Sequence, residues 1–202
     1  MPRSKSTPGL LASRTEYENQ SFGKDAVLPE RLERADFTDC SFVGCGWGEA
    51  RLLGCRFFDC RFERVDVSAA DFTDCTLRGS SFVDCKLLGV NWTVLRSLQS
   101  TGWERCLLDG CCFQALELEG VEWTECRLRH ADFSDANLRK AKFHGSSLEG
   151  ANFNGAQLAQ ADFSGVSDLS LDPQHVRLGQ TIVELEALLR MAAALGFQIA
   201  GQ

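Results

Sequence analysis

From Leu32 onward a large apolar residue recurs every five positions: Leu32, Phe37, Phe42, Trp47, Leu52, Phe57, Phe62, Val67, Phe72, Leu77, Phe82, Leu87 and Trp92. Two residues before each stands Glu30, Ala35, Cys40, Cys45, Ala50, Cys55, Cys60, Val65, Ala70, Cys75, Ser80, Cys85 or Val90, small or β-branched in every unit but the first. Positions between are polar, as at Arg34, Asp36, Asp39, Arg51, Asp59 and Arg64. The pattern resumes at Trp103 and runs through Leu108, Phe113, Leu118, Trp123, Leu128, Phe133, Leu138, Phe143, Leu148, Phe153, Leu158 and Phe163. Trp92 and Trp103 are two periods plus one residue apart. A break, expected as a hinge, bulge or small loop, is therefore assigned to Leu95, Arg96, Ser97, Leu98, Gln99 and Ser100.

A period of five fits neither a helix of 3.6 residues per turn nor the two-residue alternation of a strand. The chain must turn once per unit. A square coil of four units satisfies the pattern, because both apolar positions then point inward and residues twenty apart stack along the axis. Phe42, Phe62 and Phe82 fall in one column, Phe113, Phe133 and Phe153 in another, and Leu118, Leu138 and Leu158 in a third. Twenty-six units make six and a half coils, roughly 31 Å tall at about 4.8 Å per coil.

The triplets Ala35-Asp36-Phe37, Ala70-Asp71-Phe72, Ala131-Asp132-Phe133, Ala151-Asn152-Phe153 and Ala161-Asp162-Phe163 follow the consensus A-[DN]-[LF]-x-x. Over residues 30–165 the chain thus resembles the pentapeptide-repeat family, which implies an all-β solenoid, a right-handed quadrilateral β-helix. The expected plan is a disordered tail (1–14), an N-terminal cap (15–29), two repeat blocks (30–94 and 101–165) around the 95–100 break, and a C-terminal helix, cap and dimerisation module (166–202). In that last segment Thr181 and Glu184 have the spacing of a capping box. Ile182, Leu185, Leu189 and Ala192 then share a helical face, and Gly196 closes the helix. Leu188 and Leu195 add more apolar area than one face can hide, so a homodimer is expected through Ile182, Leu185, Leu188, Leu189, Ala192 and Leu195. Dimerisation through C-terminal helices is also what the gyrase-protecting members of the family imply.

With 202 residues, 44% of them apolar, the chain suits about one domain. Its longest apolar run, Met191 to Leu195, is far too short to cross a bilayer, and Leu10-Leu11-Ala12 is too short for a secretory signal. Ten cysteines would suggest disulfides or zinc elsewhere, but nine of them occupy the small inward slot, only Cys112 faces outward, and no pair has C-x2-C spacing. Buried free thiols acting as compact hydrophobes, in a reducing cytoplasm, are the expectation. His130, His144 and His175 are scattered surface residues, and no nucleophile or phosphate-loop motif occurs. Neither an enzyme, a metal site nor a cofactor is expected.

The net charge of −7 becomes −10 once the three cations of residues 1–14 are set aside, which disfavours direct nucleic-acid binding. Glu104, Asp109, Glu117, Glu119, Glu122, Glu125, Asp132 and Asp135 form an acidic belt opposed only by Arg105, Arg127 and Arg129. The segment Cys85-Lys86-Leu87-Leu88-Gly89-Val90-Asn91-Trp92-Thr93 is similar to one in Qnr-like pentapeptide-repeat proteins. That resemblance implies a DNA mimic whose partner is a type II topoisomerase, DNA gyrase, with the belt as binding surface and protection from quinolones or peptide toxins as outcome. The mimicry is partial, since about 31 Å of duplex carries roughly 18 phosphate charges. The competing class is a general protein-interaction scaffold.

Overall fold

A computed structural model describes residues 11–26 and 29–198. The chain winds as a parallel β-solenoid with four faces, and each face is named here by an inward residue near its upper end. On the Tyr17 face, Glu16–Glu18, Asp36–Thr38, Arg56–Phe58, Thr76–Arg78 and Ser97–Gln99 pair in parallel register. On the Phe22 face a ladder joins Ser21–Phe22, Ser41–Val43, Arg61–Glu63, Ser81–Val83, Gly102–Glu104 and Trp123–Thr124. The Leu32 face pairs Arg31–Glu33 with Arg51–Leu53, and single bridges carry the Trp47 face from Gly46 through Asp66, Lys86, Leu107 and Arg127 to Ser147.

The inward columns are filled by stacked rings. Phe42 and Phe62 lie 4.9 Å apart at 8°, Phe62 and Phe82 4.5 Å at 8°, Trp103 and Trp123 5.3 Å at 5°, and Phe113 and Phe133 4.9 Å at 4°. Such offset layers combine large apolar burial with favourable ring contact. The stacking leaves no acceptor for the indole N–H groups of Trp47, Trp92, Trp103 and Trp123.

Between Arg34 and Gly165 every corner except the one after Trp92 is turned by a residue in the left-handed region, so five-residue spacing becomes a square path. These corner residues have φ of 50–61° when they carry a side chain and 62–77° when they are glycine. Two kinds of corner occur. In a closed corner a backbone N–H donates to the carbonyl three residues back, as from Ala131 to Leu128 and from Ala136 to Phe133. In an open corner the inward slot holds a side-chain donor that reaches the carbonyl two residues back, as from Cys40 to Thr38, Cys60 to Phe58, Cys85 to Val83 and Thr101 to Gln99.

The break is smaller than the spacing of the two blocks suggests. Ser97–Gln99 is a strand in register with Thr76–Arg78, and Leu98 is buried in its column, so residues 95–100 form no hinge. The extra residue is absorbed as a β-bulge: the Arg96 N–H donates to Cys75 O at 2.8 Å while Ser97 pairs with Thr76. A single 3-10 turn, Trp92–Val94, leads into it, capped by the Asn91 side chain.

The solenoid also extends beyond both ends of the visible repeat. Residues 16–22 are its first strands rather than a separate cap. Of the tail expected over 1–14, residues 1–10 lie outside the described residues; Leu11 is buried and the Ala12 N–H donates to the Tyr17 hydroxyl at 2.7 Å. After Phe163 the ladder continues through Ser167, Arg177 and Ile182. The expected capping box is overturned, because Thr181 and Glu184 both tie down this last coil: the Thr181 hydroxyl donates to Leu158 O at 2.8 Å, and the Glu184 carboxylate accepts from the Gly165 N–H at 2.9 Å. The helix proper is Leu185–Ala194, with no side-chain cap. It buries Ala187 and Met191, not the face of Leu185, Leu189 and Ala192 read from the sequence.

Candidate functional site

Twenty residues encircle the rod, so a run of acids in sequence is divided among faces. Glu117 and Glu119 stand on the Tyr17 face; Glu104, Glu122 and Glu125 on the Phe22 face; Asp109 on the Trp47 face; Asp132 and Asp135 on the Leu32 face. The belt is therefore no single stripe. Its compact part is Glu117, Glu119, Glu122 and Glu125, the first three flanking the corner at Gly120 and Glu125 turning the next corner of the same coil.

Neighbouring cations temper this charge. Glu119 contacts Arg139 at 2.9 Å and Lys140 at 2.8 Å, Glu122 contacts Lys142 at 2.6 Å, Asp109 contacts Arg127 at 2.6 Å, and Glu104 pairs with Arg105. Lys140 foremost, with Arg139, lowers the Glu119 carboxyl to about 2, and Glu122 raises the Lys142 ammonium. Glu117 and Asp132 accept amide hydrogens from Asn137 and Asn152. Glu125 and Asp135 have no cationic partner among the described residues. Sequence reasoning counted Arg105 and Arg127 but missed Arg139, Lys140 and Lys142, because these stand one coil away, about twenty residues along the chain.

A second charged feature lies at the edge between the Leu32 and Tyr17 faces. Arg34, Arg56 and Arg96 line a groove of about 410 Å³ with Asp36, Gly54, Asp74 and Thr76. Arg56 forks onto Asp36, whereas Arg34 and Arg96 have no carboxylate partner among the described residues. The one-residue surplus between Trp92 and Trp103 was the sequence signal for this place, although it did not reveal which residue is extruded.

All ten cysteines are unpaired, nine of them buried, and Cys112 is partly exposed. Burial pushes the Cys111 thiol up to about 12, which suppresses its reactivity. His144 sits 3.2 Å from Asp162 and His175 2.6 Å from Asp172, both at the surface. Among the described residues no cluster of three or more potential metal ligands occurs. No helix among them is long and apolar enough to cross a membrane. At the C-terminal end Ile182, Leu185, Leu188 and Leu195 are exposed together with Leu178 and Phe197, while Leu189 and Ala192 are partly buried.

The family model described as "Pentapeptide repeat region" matches residues 21–92 and 96–169, its gap falling at the bulge. No characterised protein matches the chain in a sequence comparison. Among solved structures, a trypsin-treated variant of QnrB1, a plasmid-mediated fluoroquinolone resistance protein, superimposes with a TM-score of 0.61. It is 19% identical, over 94% of this chain and 97% of that one. A second trypsin-treated QnrB1 variant gives 0.55 at 21% identity, with the same coverage.

Proposed function

The chain belongs to the pentapeptide-repeat family, and from that premise we propose that it is a non-catalytic binding protein that engages a bacterial type II topoisomerase, DNA gyrase, as a partial mimic of duplex DNA. The observation that carries this reading is a net-acidic rod sharing its fold with a fluoroquinolone resistance protein over nearly the full length of both chains. Basic surfaces grip duplex largely through phosphate charge, so an acidic rod competes for them and loses affinity as salt rises. Contact is assigned to Glu117, Glu119, Glu122 and Glu125, whose four carboxylates face outward from one coil. The outcome for the enzyme is protection from, or modulation of, poisons such as quinolones and peptide toxins, in a cytoplasmic setting.

The test is a gyrase supercoiling assay with and without a quinolone, comparing the parent with the quadruple variant Glu117→Gln, Glu119→Gln, Glu122→Gln, Glu125→Gln. The variant keeps side-chain size and leaves every inward column intact, so its effect on gyrase is expected to fall while thermal stability holds. Parent and variant acting alike would remove these four residues from the interface. No affinity of the parent at low salt would favour the scaffold reading, to which the pairing of Glu104, Asp109, Glu119 and Glu122 with cations gives its own support.

We propose further that the protein is a homodimer through the C-terminal helix, with Leu185, Leu188 and Leu195 at the contact and Ile182 beside them, since these apolar side chains are exposed in the single chain. Leu185→Glu with Leu188→Glu is expected to yield a monomer in light scattering with the solenoid intact. A dimer from the folded double variant would place the interface elsewhere.

A further inference from the structure

We propose that the bulge at Arg96 builds a binding groove for a linear oligophosphate on the edge between the Leu32 and Tyr17 faces. The bulge is the sole departure from five-residue spacing between Leu32 and Phe163, and its effect is to turn one arginine out of the wall. Bulges commonly re-aim a side chain beside a functional site. Here Arg96 lines the same groove as Arg34 and Arg56.

What sets this groove apart is that it brings two unpaired arginines together, whereas Arg14, Arg78, Arg177 and Arg190, also without an ion-pair partner among the described residues, do not line it. Arg31, Arg51, Arg56, Arg61, Arg64, Arg105, Arg127, Arg129 and Arg139 all lie within ion-pair distance of a carboxylate, as expected on an acidic rod. Arg34 and Arg96 do not, and their open guanidinium forks suit phosphoryl oxygens in bidentate geometry. Gly54 follows Arg34 on the corner column and lets the Arg34 stem lie over it, while Asp74 takes the next position of that column. The lining holds three guanidiniums against the carboxylates of Asp36 and Asp74, and Asp36 is already engaged by Arg56.

Shape selects the ligand. Arg34 and Arg96 enter three coils apart, about 14 Å along the axis at the spacing of paired strands, which is farther than one phosphate spans. A chain of phosphates bridges them, and the volume of about 410 Å³ falls within the range of small-ligand sites. The shared chemistry is the phosphate chain, whether free or carried by a nucleoside triphosphate.

Calorimetric titration of the full chain at low salt with inorganic tripolyphosphate, orthophosphate and ATP tests the proposal. Tripolyphosphate is expected to bind saturably, one per chain, at least about tenfold more tightly than orthophosphate, because only the longer ion meets both arginines. Arg34→Gln and Arg96→Gln are each expected to weaken it about tenfold, and Asp74→Asn to strengthen it, while Arg177→Gln, an unpaired arginine far down the rod, leaves it unchanged. All four positions are exposed, and an unchanged circular dichroism melt verifies that each variant is folded. ATP binding like tripolyphosphate marks the phosphate chain as the whole determinant; tighter ATP binding adds a contact to the nucleoside. Absence of saturable tripolyphosphate binding, or equal loss from Arg177→Gln and Arg96→Gln, overturns the proposal.

Discussion

The coils above the bulge and those below it reach the same square cross-section by different local chemistry. Above it cysteine fills six of the thirteen inward slots, and at Cys40, Cys45, Cys55, Cys60 and Cys85 the thiol contacts the carbonyl two residues back, leaving the corner open. Below it, from Ala131 through Ala161, alanine fills most slots, the backbone closes the turn itself, and isolated bridges replace strands. Ser80 behaves like the open cysteines. Cys75 and Cys111, whose thiols bond across coils at 2.8 and 2.9 Å instead, turn closed corners. Ala35 and Val65 depart from the rule, being open without a side-chain donor. The lesson is that the corner is decided less by slot size than by whether a side-chain donor competes with the backbone for one carbonyl.

The hardest blow to the comparison comes from the shared interior. Phe62→Asp above the bulge and Phe133→Asp below it each place a charge among stacked rings, costing about 5 kcal/mol or more. Because the ladders from Thr76 to Ser97 and from Ser81 to Gly102 cross the bulge, calorimetry is expected to show one transition for the parent. Two separate transitions would mean that the blocks fold independently. Next in size is exchange of the slots. Cys85→Ala is expected to cost ~1 kcal/mol through its lost contacts with Phe62 O and Val83 O, and Ala136→Cys ~1–2 kcal/mol by overpacking, both read from thermal midpoints. A neutral outcome for both would show that slot chemistry does not set the corner. Smaller still, Ala69→Gly and Ala115→Gly, at corners with the same φ of 55°, are expected to stabilise the protein by about 0.5 kcal/mol each, as relief of left-handed strain exceeds glycine's entropy cost. Unequal gains would separate the blocks at their corners too.

The smallest effect is electrostatic. The Glu119 carboxyl is expected to titrate by NMR near pH 2, and Lys140→Gln to move it upward. Since its folded value lies below the unfolded one, its contribution is present above about pH 4.3 and fades as the pH falls toward 2. Solvent screening keeps the effect on stability small.

What the sequence made legible was whatever repeats. Five-residue spacing predicts the columns of Phe42 to Phe82, of Phe113 to Phe153 and of Leu118 to Leu158, along with nine buried thiols, because burial selects residue type at each unit. Contacts one coil apart were hidden. Arg139 and Lys140 neutralise Glu119 across about twenty residues, and linear charge counting cannot register that. The last coil was hidden too, since Thr181 and Glu184 hold it through side chains and look in sequence like a helix start.

The bulge also bears on how such a rod tolerates change in length. Adding one residue at Arg96 offset every later partner from twenty to twenty-one positions for a single lap, yet the interior of the next lap regained its column at Leu98. An insertion or deletion confined to a corner is thus erased within one circuit of the chain, whereas the same change inside a strand would turn inward residues outward. Corners are where a gene for such a protein can gain or lose codons without rewriting the layers beneath.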